Sequence, residues 1–348
     1  MGKTIKVENK KIGGGHSCFL TAEAGTTCNG DLKTAKELAD LAAEAGFDAI
    51  KFQTIDPEQL SDKSTRYRFK SGTGWSDENM YDLFKGLTFS SEAWQDLARH
   101  VRSRGLIFFS TADFLAGVDI LEACEVPLHK MGSWDVTYEP LIIKMAQTGK
   151  PLMLDLGPAG SADILNFLDV ARQHGQGEIV LLHDFHTERP EEMNMRNIGY
   201  LKKTLGVAVG FSSPGLDHDL DILALGLGAE VLEKRITLSR NMTGHHHALS
   251  LEPQEMRPWI ERMRFAEASL GSREIRPSEG DRMGAHQYWR SICSSRPIRR
   301  GEPYGPSNLD GKRPGTGLPT RYLSKFWGAL APRDIAADTL LRWEDLYG

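Results

Sequence analysis

Lys51 and Lys130 are the residues whose setting most restricts what they can do. Each interrupts an apolar run, Lys51 in DAIKFQT (48–54) and Lys130 in VPLHKMGS (126–133). An unpaired ammonium in such a place is costly. A lysine paired with a carboxylate between layers of the fold is the plain structural reading. Thr111, Ser133 and Ser212 bring hydroxyls to comparable positions, and two lysines flanked by hydroxyls favour an anionic ligand, most simply a phosphate or a carboxylate. A Schiff-base lysine is the competing chemistry, because a desolvated lysine can have a depressed pKa. A second cue is GHHHALSLEP (244–253), whose three consecutive histidines suggest a metal. In an extended segment neighbouring side chains point to opposite faces. That would put His245 and His247 on one face and His246 on the other.

These residues need a frame. Apolar, β-rich runs alternate along the chain with segments of helical period. The runs are FLTAEAG (19–25), DAIKFQT (48–54), GLIFFST (105–111), VPLHKMGS (126–133), PLMLDLG (151–157), EIVLLHDF (178–185), VAVGFSS (207–213) and AEVLEKRIT (229–237). Helices lie between most of them. One begins near Asn29 and Asp31 with Leu32, Ala35, Leu38, Leu41 and Ala42 on one face, and SSEAWQDLARHVRSRG (90–105) is another. This cadence predicts a (β/α)8 TIM barrel, with a doubly wound open sheet as its rival. No GxGxxG follows the first strand, so dinucleotide binding has little support. IKVENKKIGGG reads as a hairpin that covers the barrel's N-terminal end, and residues 55–88 as a long polar excursion.

The predicted barrel unit spans residues 1–270. GSREIRPSEGDRMGA (271–285) reads as a linker, and residues 286–348 as a small β-rich domain. In a TIM barrel reactive groups stand at the C-terminal ends of strands. Those ends carry, in order, Glu23; Lys51 and Gln53; Ser110 and Thr111; Lys130 and Ser133; Asp155; His183, Asp184 and His186; Ser212 and Ser213; and Glu233, Lys234 and Arg235.

The chain has 348 residues, 40% hydrophobic and 26% charged, an ordinary globular balance. Its net charge of −5 gives no general attraction to nucleic acid or an anionic membrane. The opening MGKTIKVENKK lacks the apolar core of a secretion signal, and no run suggests a membrane span. Cys18, Cys28, Cys124 and Cys293 form no CxxC pair, which suits reduced thiols in a cytoplasmic protein.

The motifs AEAGTTCNGDLKTAKELADLAAEAGFDAIKFQT, FFSTADF, HKMGSWD, LLHDFHTERP, VGFSSPG and EKRITLSRN resemble, in order, those of the sialic acid synthase family. GKRPGTGLP and RDIAADTLLRWEDL resemble the antifreeze-like (SAF) domain of the same enzymes. The resemblance covers nearly the whole chain. It implies condensation of phosphoenolpyruvate with the open-chain aldehyde of an N-acylated sugar, giving a 2-keto-3-deoxy acid and phosphate. It implies that Lys51, Thr111, Lys130, Ser133 and Ser212 hold phosphoenolpyruvate. It further implies that Gln53 and Asp135 face the sugar and that Glu23 orders water or moves a proton. It also implies a homodimer in which the SAF domain of one subunit brings Arg313 to the barrel of the other.

The departures fall on one side of the implied site. The family's two metal-binding histidines are matched by Pro214 and Arg235, so no cofactor is expected and the usual divalent metal loses both ligands. Asp155 replaces a serine that faces phosphoenolpyruvate, and a carboxylate there repels phosphate unless protonated or paired. His186 and Glu188 replace residues that touch the ligands, and His246 an aspartate that touches the sugar. Three readings of the histidine loop stay open. A metal site is rebuilt from some of His245, His246, His247, His183, His186 and Asp184; or Arg235 supplies the metal's fixed charge while His246 hydrogen-bonds an altered acceptor; or the loop is merely solvated. The alternatives to a synthase are a non-catalytic binder of phosphate or sugar acid and a lysine Schiff-base aldolase.

Overall fold

A computed structural model describes residues 4–71 and 74–347. The chain divides into two units, one ending at Gly271 and one beginning at Ser272.

In the first unit, β1 (Thr4–Val7) and β2 (Lys10–Gly13) form the expected antiparallel hairpin. Its alternation buries Ile5, Val7 and Ile12. Ile5 lies beside Ile179, Val207 and Ala208, at the start of two barrel strands, so the hairpin sits at the barrel's N-terminal end. The next strands are β3 (Phe19–Gly25), β4 (Ala49–Thr54), a hairpin of β5 (Arg66–Ser71) and β6 (Gly74–Asn79), β7 (Ile107–Ala112), β8 (His129–Met131), β9 (Leu152–Asp155), β10 (Ile179–His183), β11 (Ala208–Ser213) and β12 (Val231–Arg235). Eight of them, β3, β4 and β7 to β12, form a closed parallel barrel. Closure is made by β12 on β3, with Arg235 opposite Glu23. That pairing decides against the open sheet.

The sequence reasons for these elements are local. Every residue of FLTAEAG is buried, as a parallel strand covered on both faces requires. Asp31 caps the helix Leu32–Ala45 by accepting from the Thr34 N–H at 2.8 Å, and Gly46 in the left-handed region ends it. Ala35, Leu38, Ala39 and Ala42 are its buried stripe. Ser90 caps Ser91–Ser103 in the same way. Trp94 of that helix packs on Phe52 of β4 and Phe108 of β7.

Two stretches hold more regular structure than the sequence reading assigned them. Residues 55–88 hold the short helix Pro57–Leu60, the β5–β6 hairpin and the helix Met80–Lys85. Most of this hairpin is exposed, so its sequence lacks the sustained apolar pattern of a core strand. The expected linker 271–285 includes the start of a helix, Glu279–Tyr288, begun by a capping box of Ser278 and Asp281.

The second unit pairs β13 (Ser291–Ser294) with β14 (Leu309–Lys312) and otherwise relies on isolated bridges. Ile292, Ile298, Tyr304, Phe326 and Leu341 form its core.

Candidate active site

A cavity of about 480 Å³ opens at the C-terminal ends of the barrel strands. Its size suits a small organic ligand. Strand alternation sends Glu23, Lys51, Glu233 and Arg235 to it, and sends Lys234 the other way.

Glu233 is the hub. Its two oxygens each accept from Lys130 Nζ at 2.7 Å, and Oε1 lies 3.2 Å from Lys51 Nζ and accepts from Ser212 Oγ at 3.2 Å. Lys130 also meets Asp155 Oδ2 at 3.0 Å. Lys51 donates to Thr111 Oγ1 at 3.3 Å and pairs with Glu23. The expected lysine pairing is therefore real, but it occurs inside the barrel, at the cavity floor.

The charges follow from this packing. Burial would lower Lys130, but Asp155 and Glu233 outweigh it and hold the ammonium above its usual range. Lys51 falls to about 8, because burial wins over its attraction to Glu233. Burial would raise Glu233, yet Lys130 and Lys51 hold it near 2. Asp155 rises to about 6, chiefly by burial, with Lys130 opposing and Glu233 adding.

The side opposite this floor is built from other groups. Gln53 donates from Nε2 to Asp113 Oδ2 at 2.8 Å, and Asp113 in turn hydrogen-bonds Asp135. Asp135 rises to about 7 through burial and the neighbouring Asp113. Asp135, expected to face the sugar, thus does not line the cavity and is linked to Gln53 only through Asp113. Ser133, Trp134 and His186 line the cavity, the last two with ring centroids 4.9 Å apart.

The histidine loop departs from the expected alternation. His246 has φ 73°, in the left-handed region that histidine visits more readily than most side chains, and a short 3-10 turn follows. The turn brings the rings of His245 and His246 to the cavity, with centroids 3.5 Å apart. His247 turns away, to Thr237 Oγ1 at 2.7 Å and Asn29 Oδ1 at 3.0 Å. His245 Nε2 is 2.6 Å from the Tyr67 hydroxyl, between Tyr67 and Phe69 of β5. Burial and Arg235 push His245 down to about 3 and His246 well below its usual range, so both are neutral imidazoles at neutral pH.

The residues present do not fit the family's metal. The Arg235 guanidinium donates from Nη1 to the Pro214 carbonyl at 2.7 Å, and its buried Nε has no partner. It sets a positive charge against Pro214, the other position that the resemblance matches to a metal-binding histidine. Nor do the candidate replacement ligands gather. His183 faces out of the barrel, donating to the Met193 carbonyl at 2.8 Å and stacking on Phe211, and His186 Nε2 is 3.9 Å from Asp184. Among the described residues no group of three or more His, Cys, Asp or Glu side chains is arranged to hold a metal ion.

Of the sequence-derived residues, Glu23, Lys51, Gln53, Thr111, Ser133, His186, Ser212, Arg235 and His246 line one cavity, and Lys130 lies behind Asp155 and Glu233. Ser110 and Ser213 point outward, to Thr54 and Lys234. His218 opens a helix on the outside of the barrel and is half-buried. Arg313 belongs to the second unit, where it is exposed and its Nε donates to the Tyr288 carbonyl at 2.7 Å. Glu233 as hub, Asp113, and the wall residues Tyr67, Met80 and Phe84 were not singled out by sequence. RYRF, with its alternating aromatics, was the available signal for Tyr67.

Comparison with known proteins adds a second line of observation. The NeuB family profile matches residues 38–275 and the SAF domain profile residues 290–346. An uncharacterized protein of Methanocaldococcus jannaschii is 36% identical over 350 residues, covering 99% of both chains. The N,N'-diacetyllegionaminic acid synthase of Legionella pneumophila is 30% identical, again over 99% of both. The crystal structure of an N-acetylneuraminic acid (sialic acid) synthetase from Leptospira borgpetersenii has the same fold, with a TM-score of 0.72 and 24% identity over 82% of this chain and 95% of its own.

Proposed function

We propose that this chain, which belongs to the NeuB family and carries a C-terminal SAF domain, condenses phosphoenolpyruvate with the aldehyde of an open-chain sugar. The products are a 2-keto-3-deoxy acid and phosphate. The observation that carries the reading is the pair of buried lysines, joined by one carboxylate and flanked by Thr111 and Ser212, at the floor of a ligand-sized cavity.

Lys51, Lys130, Thr111, Ser133 and Ser212 hold phosphoenolpyruvate in this reading. C3 of the enol attacks the aldehyde, water adds at C2, and the tetrahedral intermediate expels phosphate. Glu23, at the cavity wall beside Lys51, orders the water or moves its proton. Arg235 stabilises the charge that develops on the aldehyde oxygen, a fixed cation in a water-poor site. Because Gln53 Nε2 is held by Asp113, its carbonyl oxygen is left for an acceptor hydroxyl. Asp135 supports that arrangement from behind, while neutral His246 and His186 hydrogen-bond the acceptor. A partner subunit's SAF domain would add Arg313.

The test is phosphate release from phosphoenolpyruvate with a panel of aldoses and N-acylated hexosamines, each with and without a strong chelator. Release with one acceptor that survives the chelator is the expected result. Lys51→Ala and Lys130→Ala should each abolish phosphoenolpyruvate binding, and unchanged binding in both overturns the reading. Binding without turnover across every acceptor would leave a non-catalytic binder instead. The lowered pKa of Lys51, about 8, favours one second reading, a Schiff-base aldolase. Borohydride trapping of a keto acid on Lys51 would reveal it.

A further inference from the structure

The cavity floor carries more negative groups than an incoming anion can tolerate. Glu23, Asp155, Asp184 and Glu233 face Lys51, Lys130 and Arg235, four carboxyls against three cations. Both lysines are already engaged by carboxylates. A trianionic ligand added to this set would lie among uncompensated charges in a poorly solvated place.

The carboxyls are not equally able to change. Glu233 is fixed by both lysines and Ser212. Glu23 is paired with Lys51, and Asp184 accepts from the Gly157 N–H. Asp155 has one contact, Oδ2 to Lys130 at 3.0 Å, while its other oxygen is buried without a hydrogen-bond partner. The groups around it are Lys130 on β8, Lys51 on β4, Glu233 and Arg235 on β12, and Asp184 and His186 after β10.

We infer that Asp155 is the proton-accepting residue of the anion subsite: a phosphate-bearing ligand enters together with one proton, which Asp155 binds. The neutral carboxyl then donates a hydrogen bond to the ligand, and Lys130 keeps Glu233 as its partner. This deepens the phosphoenolpyruvate reading and rests on it. The free carboxyl titrates near 6, so below that pH the proton is already present. Above it, each further pH unit weakens anion binding about tenfold. A serine in place of Asp155 would carry no such penalty.

Isothermal titration calorimetry at pH 8 in buffers of different ionisation enthalpy tests this. The phosphate ester of phosphoenolpyruvate is then already ionised, the second pKa of such esters being about 6. The probes are phosphoenolpyruvate and inorganic phosphate, on the full chain and on Asp155→Asn and Asp155→Ser. The wild type should take up about one proton per ligand bound. Lys51, at about 8, adds a fraction of a proton in every variant, so both substitutions should lower the uptake by about one proton per ligand and bind about ten- to a hundredfold more tightly at pH 8, with the difference vanishing below pH 6. Wild-type binding without proton uptake, or uptake that is the same in both variants as in the wild type, overturns this inference and leaves the proposed function standing. Binding of neither probe by any of the three proteins removes the anion subsite and both readings with it.

Discussion

The inner and outer faces of the barrel wall each hold a buried lysine, and the two are fixed by opposite balances. Lys130, inside, meets two carboxylates and is held more firmly protonated than a free lysine. Lys234, outside, meets one carboxylate, Asp221 at 2.7 Å, with the Ser213 hydroxyl at 3.0 Å, and burial lowers it despite them. Asp221 also accepts from Trp259 Nε1 at 2.8 Å, so the outer pair ties strand to helices. The inner lysine sits in a network with more acid than base, which is a poor stabilising device and borders the ligand-sized cavity. The outer lysine has one carboxylate partner and a structural role.

This contrast can be broken by substitution. The largest effect is expected from Glu233→Gln, which takes the shared carboxylate from both inner lysines. Unpairing a buried ion costs about 3–5 kcal/mol, read as a lower midpoint in urea, and phosphate release should be lost as well. Lys234→Met should lose a similar stability by stranding Asp221, yet keep phosphoenolpyruvate affinity within about threefold of wild type. If it abolishes binding, the division between the two faces is wrong.

A smaller effect is expected at the rim. His245 has a folded pKa near 3, well below its usual value. The unfolded chain therefore binds a proton that the folded chain does not, and stability should fall as pH drops from about 6.5 toward 3. His245→Phe keeps a ring between Tyr67 and Phe69 and should flatten that part of a stability-against-pH curve. The smallest is Ser110→Ala. Its hydroxyl faces out of the barrel to Thr54 at 2.8 Å, so loss of about 1 kcal/mol in thermal unfolding with unchanged ligand binding is the outcome to look for.

Strand-borne residues were largely legible before the fold was known. Lys51, Lys130 and Glu23 were read from apolar runs because a parallel strand in a barrel must be buried on both faces, so a charge in one announces itself. Asp31 and Ser90 announced their helices through capping chemistry that spans three residues. The rim was not legible in this way. The expected alternation of His245, His246 and His247 fails at one backbone angle of His246, and the contacts of His245 come from a hairpin far away in sequence.

What the sequence determined by itself is the alternation of strands and helices, the two-part organisation, and the presence of lysines, hydroxyls and an arginine at strand ends. Each depends on periods of two or of 3.6 residues, or on a motif a few residues long. Only the tertiary structure decided which groups share a charge. Glu233 joins Lys51 and Lys130 because β12 closes against β3, and Asp155 is left with a bare oxygen because β9 brings it beside an already satisfied lysine. Those outcomes turn on distances of a few ångströms between strands far apart in the chain, and Coulomb interactions in a buried site change with such distances in a way no local pattern encodes.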